Sequence, residues 1–224
     1  MKHNLPTGGA SRQIGEVARP NHELLCIQHT VRFVRPVLVD LPGREILDLP
    51  LPRSGDDPMV AGHLCADIEE AVTAVGRDLL NELSFIAKAG VWGEFVEPLT
   101  RMLLAFMTSA IPAAKNAVNR AYVEAIIGGL AYPDEEKPVL DMPAVRGYSP
   151  LAVALATSRL AQTMKFAPAP VEVIEEARKA RNQLLDLYCH LWRLHKHVAS
   201  ARELCPPVCR WPEDDPAETT SGWG

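Results

Sequence analysis

The chain has 224 residues, a net charge of −5 and a sequence pI of about 5.8. Apolar residues at 47% and charged residues at 23% supply a core and exclude wholesale disorder. The acidic balance excludes a surface built wholly to grip nucleic acid or acidic lipid, leaving only local basic patches for that work. No apolar run reaches the ~18 residues a membrane-spanning helix needs. The longest, Met102 to Ala114, is interrupted by Thr108, Ser109 and Pro112. The opening MKHNLPTGGASRQIGE lacks the apolar centre of a secretory signal, so a cytoplasmic protein is expected, with no membrane partner. The five cysteines, at 26, 65, 189, 205 and 209, are odd in number and irregular in spacing, which reads as free thiols in a reducing compartment.

In chain order, residues 1–22 are polar, without a sustained period, and read as a flexible arm. Residues 23–56 read as a β-hairpin segment. Val31 and Phe33 alternate with Arg32, and Val37, Val39 and Leu41 alternate with Leu38 and Asp40. Pro42-Gly43 suits the centre of a type II turn between strands at roughly 31–40 and 45–50. Residues 57–204 read as a helical bundle domain of about five helices. Asp57 followed by Pro58 is a cap-then-proline start. Val60, Leu64, Ile68, Ala71, Val75, Leu79, Leu83 and Ile86 then recur at helical steps, predicting one long helix to about Gly90. A second helix starts near Glu94, with Leu99, Leu103, Phe106 and Ala110 on its buried face. A third spans about Ala113 to Ala131, and the apolar girth of these two predicts that they form the bundle centre. Residues 132–148 form a polar, proline-broken linker. Ser149-Pro150 opens a helix to about Phe166, APAP at 167–170 follows, and a long helix occupies roughly 171–204. Residues 205–224 are acidic and aperiodic and read as a flexible tail. The expected fold class is therefore mainly α, with a small N-terminal hairpin and a long C-terminal helix.

That last helix is the most informative segment. Val173, Ala177, Ala180, Leu184, Leu187, Leu191, Leu194, Val198 and Ala201 are all apolar and follow steps alternating between four and three. The 3.5-residue mean period lets two helices stay in contact along such a seam. In a parallel coiled-coil dimer Glu176 faces Arg181 of the partner, a favourable pairing that fixes register. The alternative is a central helix of an intramolecular bundle. Alanine at three seam positions makes a thin interface, and Leu185 and Trp192 give the helix a second apolar stripe that needs another neighbour, so the two readings stand level.

Chemistry-bearing groups are sparse. His190, His195 and His197, with Cys189, Cys205 and Cys209 nearby, are the candidate zinc ligands. Their spacing is poor: His190 and His195 are five residues apart, about 140° around a helix. Extended backbone through Pro206-Pro207 separates the Cα atoms of Cys205 and Cys209 by about 12 Å. His63, Asp67 and Glu70 share one helix face and, as a histidine with two carboxylates, could hold a metal, but the same side continues through Ala74, Arg77 and Asn81 and reads as a solvated face. Lys115, Asn116, Asn119 and Arg120 form a polar patch that could read a groove of DNA or simply face water. From Arg178 to Arg202 six basic residues stand against one acid, a candidate nucleic-acid face. The chain is similar in size and helicity to the all-helical ribonucleases of the HEPN group, which place an Arg and a His four to six residues apart. Here Arg193 and His197 enclose three residues, and Arg181-Asn182 and His190 enclose eight, so that activity is not carried over. No phosphate loop, nucleophile elbow or dinucleotide fingerprint occurs. The expectation is a non-enzymatic assembly protein, a subunit or adaptor whose 171–204 helix binds a protein partner or a second copy. A nucleic-acid-binding regulator using the basic stretch 178–202 and a metal-binding helical enzyme or sensor using the C-terminal His/Cys cluster are the alternatives.

Overall fold

The computed structural model describes residues 14–114, 119–132 and 147–204, with backbone alone for 14–21. Among them the chain is helical throughout: α1 (Ile14–Val37), α2 (Pro58–Val75), α3 (Arg77–Trp92), α4 (Glu97–Ala110), α5 (Arg120–Ala131), α6 (Pro150–Thr163) and α7 (Pro170–Leu204). Short 3-10 turns lie at Arg44–Asp48 and Pro112–Ala114. No helix among the described residues is long and apolar enough to cross a membrane.

The starts of the helices follow their sequences. The Asp57 side chain accepts from the Met59 N–H at 2.8 Å, with Pro58 occupying the first helical position of α2. Ser149 caps α6 by accepting from the Ala152 N–H at 3.2 Å, again ahead of a proline. Asn119 caps α5 through the Tyr122 N–H at 2.9 Å. At α7 the Ala169 N–H donates to the Glu172 carboxylate at 2.6 Å, half of a capping box around Pro170. Each arrangement satisfies a backbone donor that a helix start leaves open.

Two expectations need correction. The first concerns 31–50. Residues 31–37 continue α1, with Val31 and Val34 buried, and residues 44–48 form a 3-10 turn rather than a strand. Gly43 does take the positive φ of a turn centre (69°). However, Ile27, Val31 and Val34 lie at helical steps, and their burial on one side outweighs the strand preference of the valines. The second concerns 57–90, which is two helices. Gly76 adopts φ 90° and ψ 110°, and its N–H closes α2 on the Val72 and Thr73 carbonyls. The break re-aims the buried stripe. It runs Ala61, Cys65, Ile68, Val72 in α2 and Leu80, Leu83, Ala87, Val91 in α3, while Val60 stays exposed.

The described chain divides into two compact units. One comprises residues 1–39 and 86–186, the other 40–85 and 187–224. In the first, α6 is the interior helix: every residue from Leu151 to Thr157 is buried, as befits a sequence apolar or small on all sides. It takes the central place expected of the second and third helices. Helix α4 packs on it and buries Leu103, Leu104 and Met107, while its Phe106 and Ala110, expected in the core, are left exposed. In the second unit, α2, the start of α3, the 44–48 turn and the second half of α7 enclose Ile46, Cys65, Ile68 and Leu194.

Candidate functional site

Helix α7 runs unbroken over Pro170–Leu204, as its period requires. Its seam, however, is consumed by the chain itself. Val173, Ala177, Ala180, Leu184, Leu187, Leu191, Leu194 and Ala201 are 0–2% exposed, and only Val198 is half-buried. Within the first unit Leu184 lies against Gly90 of α3 beside Leu151 of α6. A methyl placed on Gly90 would stand 2.9 Å from Leu184 Cδ1 and 3.0 Å from Leu151 Cδ2. Ser149 Oγ donates to the Gly90 carbonyl, so α3, α6 and α7 converge at one glycine. Within the second unit Leu194 lies close to Gly43, and the Cys65 thiol reaches the Ala201 carbonyl at 3.5 Å. The seam is thus interior in the single chain, and the intramolecular alternative describes it.

The pair expected to fix register is engaged locally as well. Glu176 receives Arg159 of α6 at 3.3 Å and Lys179 at 3.4 Å. Arg159 continues to Gln183 at 2.6 Å, tying α6 to α7. Arg181 lies 5.9 Å from the ring centre of buried Tyr148. Burial there lowers the Arg181 pKa. Burial also raises that of Tyr148, against a weaker opposing pull from Arg178. The basic stretch is therefore divided: Lys179 neutralised, Arg181 packed on an aromatic ring, and Lys196 lying 5.7 Å from the Trp192 ring centre.

The metal candidates separate in the same way. His190 is buried, and its Nε2 lies 2.8 Å from the Pro42 carbonyl. A carbonyl only accepts, so that nitrogen carries the proton and cannot ligate. His195 is exposed, and His197 is half-buried with its Nε2 lacking a hydrogen-bond partner among the described residues. Cys205 and Cys209 lie outside the described residues, as do the 1–13 arm, Lys115, Asn116, most of the 132–148 linker and the 205–224 tail. His63, Asp67 and Glu70 are all exposed on α2. Among the described residues no three His, Cys, Asp or Glu side chains gather closely enough to hold a metal.

What the sequence did not single out is a groove of about 250 Å³ in the first unit, between α1, α4 and α6. Its floor comes from Val31, Leu103, Ala154 and Ala161, with Phe106 at 45% exposure along one wall. The hollow exists because α6 presents Ala154, Ser158 and Ala161 at steps of four and three, side chains too short to fill the space between its neighbours. Arg32 and Arg35, one turn apart on α1, stand on the rim, and Arg35 donates to Gln162 of α6 at 2.9 Å across one end. Among the described residues no carboxylate lines the groove. The signal for it was the spacing of exposed Phe106 beside the small residues of α6, readable only once the rotation of α4 is known. No family model matches the chain, and no curated protein or solved structure is significantly similar to it.

Proposed function

We propose that this protein is a non-enzymatic helical interaction protein, a subunit or adaptor. In this reading α7 is the internal spine rather than the contact surface. The partner surface is the groove between α1, α4 and α6, and its occupant is an amphipathic helix of a protein partner carrying an apolar anchor flanked by acidic residues. The observation that carries the reading is the apolar floor with half-exposed Phe106 in a groove that Arg32 and Arg35 also line, with no carboxylate lining it among the described residues. An aromatic anchor surrounded by arginine is the composition that dominates binding energy at protein interfaces. Helices dock in such grooves through apolar side chains at steps of three and four. At about 250 Å³ the groove holds one large anchor side chain, since a cavity of roughly 150 Å³ holds benzene.

The test is selection from a displayed library of amphipathic helical peptides against the full chain, repeated with the R32E/R35E double variant. The reading expects enrichment of peptides with an aromatic or leucine anchor and flanking Asp or Glu, and loss of that enrichment with the variant. Enrichment of basic peptides, or acidic peptides that bind both proteins equally, would refute it.

A further inference from the structure

The second unit contains a separate cleft, of about 210 Å³, walled by the end of α2, the start of α3, the second half of α7 and the 44–48 turn. Its apolar lining is aliphatic throughout. Ile46, Val72, Leu80, Leu191 and Leu194 are buried, and half-buried Val198 is the one position of the α7 seam left open. Among the described residues no Phe, Tyr or Trp lines the cleft, and no Asp or Glu. The two arginines of its wall are committed elsewhere. Arg77 is ion-paired with Glu69, and Arg202 is engaged by a neighbouring group. A charged ligand therefore finds no spare counter-charge. What remains at the mouth is hydrogen bonding. Asn81 of α3 and His195 of α7 are both exposed, and neither is bonded to another described residue. A carboxamide donates and accepts, and an imidazole offers either role according to its tautomer.

We infer that this cleft binds a small uncharged aliphatic alcohol, with its hydrocarbon body against the aliphatic lining and its hydroxyl at the mouth with Asn81 and His195. Size sets the body: a cavity of roughly 150 Å³ holds benzene, so this one holds on the order of eight non-hydrogen atoms. Charge excludes the ionic relatives. A carboxylate or an ammonium leaves water here without a partner to offset the loss of its hydration. A hydroxyl exchanges one set of neutral hydrogen bonds for another at little net cost. Apolar lining with a few polar groups at one end is the general form of a small-molecule site. The cleft shares no residue with the α1–α4–α6 groove and stands independently of the function proposed for it.

The experiment titrates the full-length protein separately with heptan-1-ol, sodium heptanoate and heptylammonium chloride, following the methyl resonances of Leu80 and Val198 by NMR. The expected result is saturable binding of the alcohol below ~1 mM with shifts at both residues, and binding of either ion at least about tenfold weaker. Val198→Phe fills the cleft from its half-buried edge and should abolish the shift at Leu80. The double variant N81L/H195L changes only exposed positions, so the fold is kept, and it should weaken the alcohol about fivefold by removing its hydrogen bonds. No saturable shift with heptan-1-ol, an ion that binds as tightly as the alcohol, or an N81L/H195L protein with wild-type affinity would overturn the inference.

Discussion

Gly90 and Leu184 form a pair whose coupling can be worked from the structure. Leu184 is fully buried, and truncating it to alanine removes three carbons from a packed interior. Such a change costs about 3–5 kcal/mol, the upper part applying where neighbours cannot collapse into the hole. Neighbours here are helices fixed by the Ser149 cap and the Arg159 contacts, so little collapse is expected. Gly90→Ala places a methyl 2.9 Å from Leu184 Cδ1 and 3.0 Å from Leu151 Cδ2, overpacking worth about 1–3 kcal/mol. Alanine's better helix propensity returns roughly 1 kcal/mol of that. In the double variant the new methyl occupies space that the leucine vacates. The two changes should therefore be less than additive by about 1–2 kcal/mol, within the usual range for residues in contact. Urea denaturation of the four proteins measures the cycle, and sedimentation velocity confirms that the mass is the same in each. At about 2–4 °C per kcal/mol, Leu184→Ala alone lowers Tm by roughly 6–20 °C. Additivity within about 0.5 kcal/mol, or a change of mass in place of a loss of stability, would refute the packing argument.

Three further outcomes follow from local geometry. Gly76→Ala should cost about 1–3 kcal/mol although its methyl meets only Leu79 at an ordinary 3.6 Å, because φ 90° strains any residue with a Cβ; chemical denaturation reads it directly. Ser149→Ala should cost roughly 1–2 kcal/mol or more by same-method comparison, since it removes both the α6 cap and the bond to the Gly90 carbonyl. Burial raises the pKa of Tyr148, so the folded protein holds that proton more tightly than the unfolded chain does. The associated stability is fully present below about pH 10, the unfolded value, and is lost as pH rises toward the higher folded value. Stability measured from pH 8 to 11 should fall above pH 10, and less steeply in Tyr148→Phe; parallel curves would count against a buried phenol.

Much of this fold was legible because caps and periods are local. Asp57-Pro58, Ser149-Pro150 and the alternating four-three steps of 173–201 each act within one or two turns, and each became the element its chemistry implies. What was lost depended on distance. Val31 and Val34 fit a strand as well as a helix until the burial of one side decides, and that burial comes from α4 and α6, more than sixty residues away. Gly76 fits a tolerated helical glycine as well as a break, and only its dihedral angles distinguish them. A seam period states that a face is covered without stating by what. Leu184 meets Gly90 and Leu151 of its own chain, which no spacing along α7 could reveal. The groove around Phe106 was missed for the related reason that α4 is apolar on more than one side, so its sequence did not show which apolar residues α6 would leave uncovered.

The claim on which the rest depends is that the α7 seam is closed by the chain that carries it. Ala180→Cys places a thiol at a fully buried seam position, and the native cysteines supply both references, Cys26 exposed and Cys65 buried. Maleimide labelling read residue by residue by mass spectrometry, over dilution from micromolar to nanomolar chain, compares the three. The account predicts that the thiol at 180 reacts as slowly as Cys65 at every concentration, at least about a hundredfold more slowly than Cys26. Labelling at 180 that accelerates to the Cys26 rate on dilution would mean that a second molecule covers the seam, and would contradict it.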